Sequence, residues 1–133
     1  MSDSRFEITN DMSNIEPCSI KRLLSSTYWA TDRAEETIKK SLENSICYVV
    51  KLSDIVIGFG RAVTDYSTMF WLCDLVIDKQ YRGNGLGMML LENILADPRL
   101  AELLGILATN DAHDLYKKYG FFKDNGKFMV KPR

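Results

Sequence analysis

The chain has 133 residues, 46% of them hydrophobic and 26% charged, with a formal net charge of −1. These values fit one globular domain spanning residues 1–133, long enough for a single hydrophobic core. The balanced charge excludes a globally basic nucleic-acid binder, and no apolar run approaches the ~20 residues of a membrane span.

The start, "MSDSRFEITN", carries acidic residues and no apolar stretch, so it does not read as a secretory signal. Cys18, Cys47 and Cys73 are odd in number and lack CxxC spacing, which points to reduced thiols and a cytoplasmic protein. One histidine, with no HExxH and no Cys/His cluster, gives no metal site.

In chain order, Phe6 and Ile8 alternate with polar neighbours as in a short strand. After Pro17, the positions Ile20, Leu23, Leu24 and Thr27 with Tyr28 follow helical spacing. A second helix is expected from Thr31 or Asp32. Asp32 and Glu35 resemble a capping box, and Ala34, Ile38 and Leu42 share a face. "SICYVVKL" and "IVIGFGRAV" read as a hairpin about "LSDI", and Gly58 and Gly60 mark a bulge or a close backbone approach. "MFWLCDLVI", 69 to 77, is a nearly continuous apolar run, as in a central strand.

The helix expected over 86–96 carries Leu86, Met89, Leu90 and Ile94 on one face, widened by Met88, Leu91 and Leu95, and ends at Asp97-Pro98. "GILA", 105 to 108, is a short buried strand. Thr109 or Asn110 caps a helix through Tyr119, with Gly120 as its stop. "FF", "DNG" and "FMVK" read as a closing hairpin. The whole is a mixed α/β domain with a central parallel strand–helix–strand crossover.

Between the apolar strand and the following helix lies "QYRGNGLG", 80 to 87. A helix N-terminus presents unpaired amides and roughly half a positive charge. Glycines remove Cβ atoms from the approach and permit positive φ, and Arg82 adds a charge. The local reading is a phosphate or pyrophosphate cradle. Walker spacing is absent, because no Lys-Ser/Thr follows Gly87, and GxGxG does not meet the dinucleotide pattern GxGxxG. Arg82-x-x-Gly85-x-Gly87 remains, with Gln80-x-x-Gly83-x-Gly85 two residues earlier.

"LVIDKQYRGNGLGMMLL", 75 to 91, resembles the acetyl-CoA-binding segment of the GNAT N-acetyltransferase superfamily, whose pattern is Q/R-x-x-G-x-G/A after a strand. "ILATNDAHDLYKKYGFF", 106 to 122, is similar to the family's later segment, where a strand leads to a helix with a tyrosine before "GF". The resemblance covers nearly the whole chain. It implies the GNAT fold, a mixed central sheet with an acetyl-CoA-binding strand–helix–strand core flanked by helices. It implies that the amides of Gly83, Asn84, Gly85, Leu86 and Gly87 hold the pyrophosphate of acetyl-CoA, with the charge of Arg82 beside them. Leu75, Val76 and Ile77 then pair with the pantetheine arm like an added strand. Tyr116 falls where the family has a tyrosine near the coenzyme sulfur. Two departures stand out: Lys79 replaces a frequent proline, and Thr109 a frequent asparagine. Asn110, next to Thr109, joins the expected coenzyme contacts.

The implied activity is transfer of acetyl to a primary amine of a small-molecule or amino-acid-like acceptor, by direct attack in a ternary complex. Peptide or protein acceptors, a catalytically weak acyl-CoA-binding or sensing domain, and a nucleotide-binding domain with a similar turn remain as alternatives. Tyr116 is the candidate acid for the leaving thiolate, or a residue that only positions it. Asp74, a carboxylate within an apolar strand, suits a base or an anchor for a cationic amine, with burial raising its pKa. The alternative is a structural aspartate at a bulge. Tyr28, Trp29 and Arg33 would line the acceptor pocket or staple the helix junction, and Arg61 and Asp65 would add contacts unless Asp65 simply makes the turn. His113 reads as a surface residue, and Cys73 as an inert buried thiol rather than an acetyl carrier. Lys117 and Lys118 fit either the coenzyme 3′-phosphate or a solvated face. A homodimer is an expectation from the family alone.

Overall fold

The computed structural model describes residues 5–133, so the first four residues of the segment read for a secretory signal lie outside the described ones. Five strands form one sheet in the order β1-β2-β3-β4-β5. They are β1 (Phe6–Thr9), β2 (Ile46–Leu52), β3 (Ile55–Thr64), β4 (Met69–Ile77) and β5 (Leu104–Ile106), antiparallel throughout except that β5 runs parallel to β4. The helices α1 (Pro17–Leu24) and α2 (Glu35–Glu43) connect β1 to β2, and α3 (Leu86–Leu95) makes the crossover from β4 to β5. A short α4 (His113–Lys117) follows. No helix among the described residues is long and apolar enough to cross a membrane.

The period-2 alternation of the strands divides the core in two. Cys47, Val49, Phe59 and Val76 meet Ile20, Leu23, Leu24 and Ile38 of α1 and α2. Tyr48, Val50, Ile57, Phe70 and Leu72 meet Leu86, Leu90, Leu91 and Ile94 of α3. The buried stripe of α3 therefore steps 86, 90, 91, 94. Met89, expected on that stripe, is exposed, and so is Met88. Two apolar positions side by side on a helix diverge by 100°, and Leu91 rather than Met89 completes the inward face.

Three local expectations are corrected. α2 begins at Glu35 with Ala34 as N-cap and no side-chain capping bond, so Asp32 and Glu35 form no capping box. α4 spans only residues 113–117, although Thr109 Oγ1 does accept from the amides of Asp111 and Ala112 (3.4 and 3.1 Å), and Gly120 (φ +92°) ends the segment. The closing hairpin does not form. Gly126 takes φ +86° as its turn requires, but no strand follows Gly120. Phe122 and Met129 stand 80% and 92% exposed, and a hairpin with no buried face is marginal.

Close approaches fix how β3, β4 and β5 meet. A Cβ on Gly60 would lie 2.8 Å from Ile94 Cδ1 and 2.9 Å from Leu75 Cδ1. On Gly105 it would lie 2.5 Å from Phe70 Cζ, so a bare backbone there lets β5 dock over the Phe70 ring. That docking is brief. Only Met69, Phe70 and Trp71 pair with β5.

Candidate active site

β4 supplies the first half of the site. Between the pairs Phe59↔Val76 and Arg61↔Cys73, β4 uses Asp74 and Leu75 where β3 uses only Gly60. This is a β-bulge, and Asp74 sits at φ +60° within it. Beyond Trp71, β4 and β5 part, so the β5-facing edge of β4 from Leu72 to Ile77 has no strand partner among the described residues. Val76 is anchored in the α1–α2 core and Leu75 and Ile77 pack toward α3. Their side chains hold the strand in place while alternate backbone groups on its open edge remain available.

The second half begins where β4 ends. Asp78 Oδ1 accepts from Gln80 N (3.0 Å) and caps a single 3-10 turn over Lys79–Tyr81. Arg22 of α1 braces that turn through Asp78 Oδ2 (2.9 Å). Gly83 and Gly85 then take φ +86° and +76°, and Gly85 is the N-cap of α3. A Cβ at either glycine would meet nothing within 4 Å. Both are glycine for backbone sign, and the space before the helix is open. The first ladder bond of α3 runs from Met89 N to Gly85 O (3.1 Å), and no side chain caps the helix. The amides of Leu86, Gly87 and Met88 therefore face that space with the positive end of the helix dipole. Leu86 fixes the turn by burying its side chain. Asn84 Nδ2 donates to Tyr81 O (3.0 Å) and Arg82 Nε to Ile77 O (3.0 Å), so both side chains stiffen the loop, and Arg82 keeps its terminal nitrogens free of these bonds. The geometry fits a phosphate-bearing ligand at the helix end with an extended arm along β4.

A charged cluster lies on the opposite face of the bulge. Arg33 Nη1 and Arg61 Nε both donate to Asp74 Oδ2 at 2.7 Å, and Trp29 Nε1 donates to Oδ1 at 2.9 Å. Arg61 Nη1 also donates to Ser45 Oγ (2.9 Å). The Asp74 side chain is 1% exposed, those of Arg33 and Arg61 17% and 14%. Burial pushes the Asp74 pKa up, but the hydrogen bonds and charges of Arg33 and Arg61 outweigh it, and the carboxyl sits below its ordinary value. The expected rise is thus reversed, because two guanidiniums face one carboxylate.

The loop over residues 27–34 is held by Thr27 Oγ1, which donates to Leu24 O (2.7 Å) and accepts from Ala30 N (3.1 Å), and by Lys21 Nζ donating to Arg33 O (2.6 Å). It carries Tyr28 edge-on to Trp29, with ring centroids 4.9 Å apart. Tyr28 Oη accepts from Asn110 N (3.2 Å), which joins this loop to the one before α4. Tyr116 packs against the α3-side core and edge-on to Phe121 at 5.9 Å. Burial, then the neighbouring Asp111 and Tyr28, push its pKa up to about 12, so it is a neutral phenol at pH 7. Burial pushes the Cys73 thiol up to about 11, which leaves it inert.

The structure thus brings Tyr28, Trp29, Arg33, Arg61 and Asp74 together. It does not bring Asp65 to them. Asp65 Oδ1 accepts from the amides of Ser67 and Thr68 (2.9 and 2.8 Å) in the β3–β4 turn, which holds its carboxyl well below the usual range. Phe70, near that turn, is four strand residues from Asp74, roughly 14 Å at 3.4 Å per residue. Sequence reading missed Ser45, and it missed Phe128, which stacks on Trp71 at 5.6 Å. Ser45 carried a faint signal as the residue that opens an apolar strand, and Phe128 carried none. No group of metal-ligating side chains occurs among the described residues.

Comparison with known proteins bears on this architecture. A family model described as an acetyltransferase (GNAT) domain matches residues 43–123. The uncharacterized N-acetyltransferase ycf52 of Pyropia yezoensis is 30% identical over 118 residues, covering 84% of this chain and 67% of that protein. Its counterpart in Porphyra purpurea is 29% identical with the same coverage. The chain thus spans about two thirds of the length of these curated relatives. A GNAT-family crystal structure from Xanthomonas campestris pv. campestris superposes with a TM-score of 0.91 at 29% identity, over 99% of this chain and 96% of that one. A GNAT-family acetyltransferase from Streptococcus pneumoniae TIGR4 shares the fold at TM-score 0.72 and 20% identity, covering 96% and 98% of the two chains. The matched segment runs from the end of α2 to the tail beyond α4, and so contains the bulge, the parted strands and the glycine turn; the chain belongs to the GNAT acetyltransferase family.

Proposed function

We propose that the protein transfers acetyl from acetyl-CoA to the primary amine of a small-molecule or amino-acid-like acceptor, with both bound at once. The observation that carries this reading is the continuity of open backbone groups from the β4 bulge, along Leu75 to Ile77, to the uncapped amides at Gly85–Gly87. A ligand with a phosphate end, an amide-bearing arm and a reactive tip matches that line. Acetyl-CoA would supply the activated acyl group.

The chain's own residues divide the remaining work. The amides from Gly83 to Gly87 hold the pyrophosphate, with Arg82 beside it. The β4 edge pairs with the arm and sets the depth of the thioester. Tyr116 donates its O–H toward the departing thiolate. Asn110 has its backbone amide engaged by Tyr28 and leaves its side chain for the coenzyme. Asp74, held as a carboxylate by two guanidiniums, positions Trp29, Arg33 and Arg61 rather than taking the amine's proton, which leaves to water.

Calorimetry tests the coenzyme assignment. Acetyl-CoA is expected to bind at least tenfold more tightly than NAD or ATP, and equal binding sinks the assignment. Binding without turnover across a panel of amines, amino acids, polyamines and peptides identifies a sensing domain instead. Tyr116→Phe is expected to lower kcat on the order of tenfold to a hundredfold with little change in coenzyme affinity. Unchanged turnover removes Tyr116 from the chemistry.

A further inference from the structure

The Arg33–Asp74–Arg61 cluster does not balance its own charge. Both guanidiniums converge on one oxygen of one carboxylate, and the other oxygen takes a neutral donor, Trp29 Nε1. Among the described residues, neither arginine has a second carboxylate at ion-pair distance. One positive charge is left over, and since no buried side-chain nitrogen among the described residues lacks a partner, it is carried by nitrogens that a ligand can reach. Donors are left over too. Arg33 engages only Nη1, and Arg61 only Nε and Nη1, so Arg33 Nε and Nη2 and Arg61 Nη2 have no protein partner among the described residues.

The position of this surplus is specific. Arg61 pairs in register with Cys73, beside the bulge and one residue from Leu72, where the open edge of β4 starts. Two residues further along the same face, Val63 pairs with Trp71, giving an apolar floor beside the cations. The coenzyme phosphates, held in the proposed reading at the N-terminus of α3, lie at the other end of that edge and do not supply the missing anion.

Resting on the proposed acetyltransferase reading, we infer that the acceptor amine carries an anionic group, a carboxylate or a phosphate, which Arg33 and Arg61 bind beside Asp74. Arg33 keeps the adjacent Nε and Nη2, a pair suited to a two-oxygen anion, and Arg61 adds Nη2. An amine with no anion enters as a bare cation and is repelled, so polyamines and simple alkylamines are poor acceptors.

The test uses matched pairs on the full chain: phenylalanine against phenylalaninamide, and phosphoethanolamine against ethanolamine. The anionic member of at least one pair is expected to exceed its partner in kcat/KM by tenfold or more, about 1.4 kcal/mol. The two pairs tell carboxylate from phosphate. Arg33→Gln is expected to bring that ratio toward one, and Arg33→Lys to keep part of it. Neutral partners that do as well in both pairs, or a ratio that Arg33→Gln leaves unmoved, overturn the inference. Acetyl-CoA affinity is read separately by calorimetry. Coenzyme turnover with no anion preference overturns the acceptor class alone, whereas absent coenzyme binding overturns the acetyltransferase reading. In that second case, titration of the same pairs against the coenzyme-free protein decides the anion site, and equal or absent heats refute it.

Discussion

Gly85→Glu is expected to abolish acetyl-CoA binding while leaving the protein folded. Gly85 is the N-cap of α3 at φ +76°, and a Cβ there meets nothing within 4 Å, so the substitution causes no clash. Placing a non-glycine residue in the left-handed region costs about 1–2 kcal/mol. The new carboxylate returns part of this, since a negative group at a helix N-terminus contributes about 0.3–1 kcal/mol. The fold therefore survives with a small loss. The ligand does not, because the same carboxylate occupies the amides of Leu86, Gly87 and Met88 and repels a pyrophosphate from the space before them. Calorimetry should show affinity reduced by more than about a hundredfold, the scale set by losing several charge-assisted hydrogen bonds at once. Gly85→Ala separates the two effects: it carries the backbone strain without the charge and should weaken binding far less. Coenzyme binding retained by Gly85→Glu refutes the cradle.

The glycine turn and the uncapped start of α3 were legible in sequence because every part of them is local. Glycine spacing dictates φ signs, the preceding apolar run makes a strand, and the following run makes a helix whose first amides are bare. The two-faced core was legible for the same reason, through periods of 2 and 3.6 residues. What escaped depends on distance along the chain. Asp74 announced itself as a carboxylate in an apolar strand, but its donors lie 13, 41 and 45 residues away, and no local rule pairs them. Burial alone argued for a raised pKa, and the guanidiniums that reverse it are tertiary facts. The closing hairpin shows the opposite failure. Its turn chemistry was read correctly at Gly126, yet turn chemistry does not make strands when Phe122 and Met129 find no cover. Asp65 illustrates a third limit, since a turn aspartate and a substrate-binding aspartate look alike until the amides around the carboxylate are counted.

Asp74→Asn is expected to lower stability by about 2–3 kcal/mol at pH 7, somewhat below the 3–5 kcal/mol typical of breaking a buried ion pair, because the arginines keep some solvent. Asparagine is chosen over alanine because it tolerates the φ of +60° that this position adopts, which separates loss of charge from backbone strain. The pH dependence follows from the direction of the shift. With its pKa held below the unfolded value of 3.8, Asp74 contributes stability above that value and loses it as pH falls through the lower, folded pKa. The stability gap between wild type and Asp74→Asn should therefore stay constant through neutral pH and narrow only below about 3.8, and comparing the two proteins cancels the other titrating carboxylates. Denaturant unfolding at several pH values measures it, and a gap under about 0.5 kcal/mol at pH 7 removes Asp74 as the hub. Kinetics on the same variant distinguish its roles. A carboxylate that positions Trp29, Arg33 and Arg61 shows up as a raised KM for the acceptor with coenzyme affinity unchanged. A carboxylate that takes the proton shows up as a collapse of kcat at constant KM. The two guanidiniums at 2.7 Å predict the first outcome, because a group they hold ionised at such low pH is too weak a base to compete with water for an ammonium proton.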